Sequence, residues 1–180
     1  MKPSNVLLLA SCVCISLLCS KAFPLAANEI ETRVASSRAS IKELAQNLKG
    51  YLQAGLESSV PAEEKILMCK SGALEATSLI EEEKGFRVRR TSLRVRNPDN
   101  TPDAWESKVL EQFQVRRESG DKIADLDHAE IMDNGQTRQF RYMKAIPVGE
   151  VCVICHGQAI DPELVYWLDK IYPGDRARGF

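Results

Sequence analysis

The chain is poor in the residues that most often carry chemistry. Its 180 residues include two histidines, two tryptophans and 6% aromatics, so a site built from several imidazoles is excluded. No charge of one sign accumulates: 24 Lys and Arg face 25 Asp and Glu, for a net charge of −1. That balance argues against nucleic acid as a partner, because phosphate backbones are bound through a basic excess. Long apolar runs are scarce as well. The most apolar stretch, Val6 to Leu18, covers about 13 residues, short of the roughly 20 that cross a bilayer. There are no internal repeats and no low-complexity tracts, which excludes solenoid and fibrous architectures. No segment reads as a kinase, cyclase or DNA-binding module.

The N-terminus reads as an export leader over residues 1–22. Lys2 supplies a short positive region, the Val6–Leu18 stretch an apolar centre, and small residues follow. Cleavage is expected after Ala22 or after Ala27, which leaves one domain over residues 28–180 in the periplasm. An uncleaved anchor and a lipid anchor at Leu9-Ala10-Ser11-Cys12 are the weaker readings. The box sits too near the start, and apolar sequence continues past it.

Of the six cysteines, Cys12, Cys14 and Cys19 fall in this leader. Cys69, Cys152 and Cys155 remain, an odd number that cannot all pair as disulfides. Two of them stand in the run Cys152-Val153-Ile154-Cys155-His156. Thiols at this spacing can add across the two vinyl groups of a haem, and the adjacent histidine is then carried to the iron. A zinc site from Cys69, Cys152, Cys155 and His156 is a second reading, although a second paired-ligand knuckle is lacking. A redox dithiol is a third. Export and the histidine directly after the second cysteine favour haem c.

Hydrophobic spacing predicts a helix over residues 28–55 and a second over 61–84, with Pro61 in its first turn and Gly85 at its end. On the second helix Ile66, Cys69, Ala73, Ala76 and Ile80 form one stripe. Cys69 therefore faces inward, and a flat group such as haem could lie against Ala73 and Ala76. Residues 86–96 read as a strand with a bend near Arg90 to Ser92. Its arginines are either a solvated face or partners for haem propionates, Arg90 and Arg94 being the candidates. A helix over 102–118, strands over 123–132 and 137–148 around Asp133-Asn134-Gly135, and a last helix over 162–171 complete the pattern. The fold class is α+β with a largely antiparallel sheet. By residue type the sixth iron ligand would be Cys69, His128, Met68, Met132 or Met143. His128 stands among acidic residues like a surface histidine, Met68 points off the helix stripe, and Cys69 lies on it.

Longer stretches add a resemblance. Ile66-Leu67-Met68-Cys69, Gly85 to Arg94, Arg96 to Asn100 with Pro102 to Glu106, Phe140-Arg141-Tyr142, Cys152 to Gly157, and Tyr172 to Ala177 together resemble the Tll0287-like haem-domain family. The resemblance implies a PAS-like antiparallel sheet flanked by helices and one covalent haem c, with His156 as proximal and Cys69 as distal ligand. It also implies membership of a group that occurs as exported proteins and as sensor modules. Family members commonly continue into a Gly-rich segment and a final strand, where this chain reads Ala177-Arg178-Gly179-Phe180. An edge strand missing from the sheet, or supplied by a partner or a homo-oligomer, is therefore expected.

Three functions follow. The first is a redox or gas-ligand sensor that reports through a signalling partner. The second is a low-potential electron carrier with a redox partner. The third and weakest is a haem enzyme, for which Glu150 and His128 are the only acid–base candidates by type.

Overall fold

The structure is a computed structural model that describes residues 27–180. The expected leader, with Cys12, Cys14 and Cys19, lies outside the described residues. In order, the elements are α1 (Ala27–Glu57), α2 (Ala62–Lys84), α3 (Ala104–Glu118), β1 (Asp127–Asp133), β2 (Arg138–Lys144), α4 (Glu150–His156) and α5 (Pro162–Ile171). Single 3₁₀ turns occupy Pro98–Asn100 and Ile123–Asp125.

The first two helices form a hairpin. Glu63 and Glu64 stand in the first turn of α2, where carboxylates favour the positive end of the helix dipole. Gly85 ends the helix at φ 71°, in the left-handed region, and its N–H donates to the Glu81 carbonyl. Leu44 of α1 packs on Ala76 and Ile80 of α2, with Leu48, Tyr51 and Val88 around them. Close approach is possible because position 72 has no side chain: a Cβ on Gly72 would lie 2.6 Å from Cγ of Tyr51. Of the two small residues expected to receive a flat group, Ala76 is used for helix contact and completely buried, and Ala73 is buried as well.

A two-residue-period hairpin follows α3. β1 and β2 pair antiparallel, Asp127 opposite Lys144 and Asp133 opposite Arg138. One face packs on α3 through Val109, Phe113, Leu126 and Met143. On the other face Asp127 holds α1, accepting from Arg38 Nε at 2.7 Å and from the Tyr142 hydroxyl at 2.7 Å. At the start of α3, Asp103 accepts from the Glu106 N–H while the Glu106 carboxylate accepts from the Asp103 N–H, a reciprocal cap. A third cluster joins α2 to α5: Ile66, Leu164, Leu168 and Tyr172, with Cys155 packed against it.

The α+β class is as expected, but helix dominates and the described sheet has two strands. Residues 86–96 pair with no strand among the described residues, and the chain bends at Leu93 and Arg94 rather than between Arg90 and Ser92. Their backbone groups are taken up individually instead: Val88 N–H donates to the Glu81 carboxylate, and the Val95 carbonyl accepts from Arg176 N–H. An alternating pattern makes a strand only where a neighbouring strand completes the ladder. The first hairpin strand begins later than its pattern, because residues 123–125 turn in a 3₁₀ coil.

Candidate haem site

The run from Cys152 to His156 lies in α4, a seven-residue helix rather than a loop. A spacing of three residues sets Cys152 and Cys155 on one helix face. Both thiols are free and half-buried. Gly157 ends the helix, and its N–H donates to the Val153 carbonyl. A Cβ at position 157 would lie 2.5 Å from that carbonyl oxygen, so the residue after the histidine has to be glycine.

The last residues hold the histidine. His156 Nδ1 is 2.7 Å from the Ala177 carbonyl. A carbonyl only accepts, so Nδ1 carries the proton and Nε2 keeps its lone pair. Phe180 N–H donates to the His156 carbonyl and Gly179 N–H to the Gly157 carbonyl, and the Phe180 ring meets the imidazole edge-on. Burial, then the nearby Arg96, pushes the imidazole below its ordinary pKa, against the Ala177 hydrogen bond and Asp175, which raise it. The ring is neutral at pH 7, the form that binds a metal.

Cys69, on α2, completes the neighbourhood. Its Sγ faces Gly55 of α1, where a Cβ would stand 3.6 Å away. Burial, and then the proximity of Cys155, raises its pKa. Cys155 is raised chiefly by burial too. Tyr172 lies in the same group, raised by burial and within electrostatic reach of Arg96, Arg90 and Cys69.

The two candidate arginines differ in their surroundings. Arg94 is exposed; its guanidinium lies 4.3 Å from the Phe180 ring and its Nε donates to the Arg176 carbonyl. It anchors the last residues. Arg90 is half-buried and, among the described residues, forms no ion pair or side-chain hydrogen bond. Burial lowers its pKa, a cation lacking a counter-charge. Arg96, which the pattern did not single out, is the organiser. It donates to the carbonyls of Cys155 and Ala177, and its Nε lies 3.1 Å from Asp175, close enough to pair but poorly directed for a hydrogen bond. The Asp175 side chain is 1% exposed and also pairs with Arg178, which reaches Asp169. Nothing in the local sequence gives Arg96 a role of its own; only the longer likeness, through the stretches Arg96 to Asn100 and Tyr172 to Ala177, included it and Asp175.

The other candidate ligands lie elsewhere. His128, on β1 and 35% exposed, stacks near Trp105 and sits 3.4 Å from Glu130. Met143 is in the α3 core, while Met68 and Met132 are exposed. Glu150 is exposed at the start of α4. Among the described residues no three His, Cys, Asp or Glu side chains group closely enough to hold a metal ion. The tetrahedral zinc site is therefore not assembled. A redox dithiol needs a thiol whose pKa is lowered, and Cys155 is raised.

The donor set fits haem on its own chemistry. Two thiols share a helix face, a neutral imidazole leaves Nε2 free, a third thiol lies within electrostatic reach of Cys155, and Arg90 is an uncompensated cation within electrostatic reach of His156.

Among known families, the Tll0287-like model matches residues 26–180. Neither the curated proteins nor the solved structures contain a match to the chain.

Proposed function

The chain belongs to the Tll0287-like family, and from that premise we propose that it is an exported single-haem c-type protein with a PAS-like fold, acting as a redox or ligand sensor. The observation that supports this most is the freed Nε2 of His156, fixed by the Ala177 carbonyl on a helix that presents two free thiols. Haem bound there would supply a one-electron couple and an iron centre.

In this reading Cys152 and Cys155 would hold the haem through thioethers, the S–H bonds adding to its vinyl groups with nothing released, and His156 Nε2 and the Cys69 sulfur would be its iron ligands. Arg90 meets a propionate, which would neutralise a cation that is otherwise unpaired. Arg96 and Asp175 position α4 and the Ala177 carbonyl rather than touching the cofactor.

The environment of Cys69 favours a switch over a carrier. Burial raises its pKa, so the pocket by itself disfavours the thiolate. A thiol in these surroundings would need a bound cation to stay deprotonated, and without one Cys69 would hold its proton. An electron carrier would need the same ligands in both redox states. A sensor also needs a partner to read the change. Among the described residues no helix is long and apolar enough to cross a membrane, and periplasmic placement rests on the leader.

Absorption spectra of the protein exported with a haem-maturation system test the reading. The wild type should give a c-type haemochrome, and Cys69→Ala should change the ferric bands. The ferrous spectra of the two proteins should converge. Ferrous spectra that still differ would favour the carrier, and a protein without haem would overturn the proposal.

A further inference from the structure

The described sheet stops at β2, and the stop is abrupt. Ala145 N–H donates to the Leu126 carbonyl at 2.8 Å, and Asn134 N–H to the Thr137 carbonyl at 3.3 Å. These bonds fix the phase of the ladder. Gln139, Arg141 and Met143 exchange hydrogen bonds with β1, while Arg138, Phe140, Tyr142 and Lys144 turn their N–H and C=O groups to the outer edge. Among the described residues those four find no backbone partner on that side. A seven-residue strand edge left open is a template for another strand.

Segment 86–94 pairs with no strand among the described residues and bends at Leu93 and Arg94. This segment and β2 line one groove of about 1830 Å³. Leu44 and Val88 line it on the α1 side with the buried Ser40, and Phe113 and Leu126 on the α3 side. The groove therefore offers an open strand edge on one wall and a mixed, partly apolar base. Arg87, Arg117 and Arg138 line it without an ion-pair partner among the described residues. That favours carboxylates on whatever enters.

We propose that this groove binds an extended segment of a partner protein, apolar at its centre and acidic at its ends, which adds as a strand to the outer edge of β2. A second copy of the chain fits less well. Two β2 strands paired antiparallel about Arg141 would set Arg141 against Arg141 and Arg138 against Lys144, and directly opposed like charges destabilise a sheet.

The probe is a capped seven-residue peptide with glutamate at both ends and valine and threonine between. Binding to the full chain should be saturable. Hydrogen exchange at the amides of Arg138, Phe140, Tyr142 and Lys144 should slow more than about tenfold, while Gln139, Arg141 and Met143, already bonded to β1, change little. Replacing the peptide's central residue by proline should abolish binding, and Arg138→Glu should weaken it about threefold, the scale of one exposed charge pair. No protection of the four amides, or binding indifferent to the proline, would overturn the proposal. So would sedimentation showing a dimer of the chain alone with those amides already protected, which would assign the edge to a second copy.

Discussion

The residue that matters most beyond the cysteines and His156 is Asp175. Its side chain is buried between Arg96 and Arg178. Burial alone would raise its pKa, but the two guanidiniums and the Ala177 N–H more than offset this and hold it below the ordinary 3.8. A carboxyl lowered on folding stabilises the protein fully above its unfolded pKa and loses that contribution as pH falls below it. Asp175→Asn should therefore cost about 3 kcal/mol near neutrality, the scale of a broken buried pair. Chemical denaturation as a function of pH checks this: the gap to wild type should close below pH 3.8, and a pH-independent gap would refute the assignment. Since Arg96 also carries the Cys155 and Ala177 carbonyls, the same variant should loosen the hold on His156. None of this was legible from the chain, in which Arg96 is one arginine among several between residues 87 and 96. Its role depends on a segment 79 residues later, the separation of Arg96 and Asp175.

At the scale of elements, legibility followed periodicity and failed where a partner decides. The stripe Ile66, Cys69, Ala73, Ala76, Ile80 predicts the inner face of α2, and all but Cys69 are buried, Cys69 half so. Gly85 and the Asp133-Asn134-Gly135 turn act as predicted because their chemistry is local. The segment 86–96 alternates like a strand but lacks a neighbour, so the pattern stayed unrealised. Cys152–His156 lies in a helix after five residues of irregular chain, 145–149, most of which the pattern had assigned to the preceding strand. The α1–α2 contact turned on a residue that a periodicity search passes over. Gly72→Ala would force Tyr51 away and should lower the urea midpoint by about 1–3 kcal/mol of stability, the usual cost of overpacking. Gly50, in the same hairpin, meets nothing within 4 Å. Gly50→Ala should instead stabilise by up to about 1 kcal/mol, since alanine is the better helix former. Opposite signs from the same substitution would identify close packing, not helix propensity, as the reason for Gly72.

At the scale of the whole molecule, one polar contact ties the helical hairpin to the sheet. Arg38 of α1, Asp127 of β1 and Tyr142 of β2 meet there, and the sheet in turn faces the groove that we propose takes a partner strand. Cys69 lies on α2, which packs on α1, so the junction joins the sheet to the helix pair that carries Cys69. It is also titratable. Burial, then the hydrogen bond to Asp127, raises the Tyr142 pKa far above its ordinary 10, against the opposing effect of Arg38. A group raised on folding gives its full stabilisation below the unfolded pKa and loses it as pH climbs past that value. Wild type should therefore be more stable than Tyr142→Phe by about 1.5–3 kcal/mol at pH 7, as for a hydrogen bond to a charged acceptor. The difference should shrink steadily above pH 10. Tyr51 and Tyr172 are raised as well, but both proteins keep them, so they cancel in the comparison. Unfolding free energies measured from pH 7 to 11 on the pair decide the matter. A gap that shrinks above pH 10 places the phenol in the folded junction, whereas a constant gap would mean that Tyr142 acts through packing alone and that α1 is held to the sheet by Arg38 and Asp127 without it.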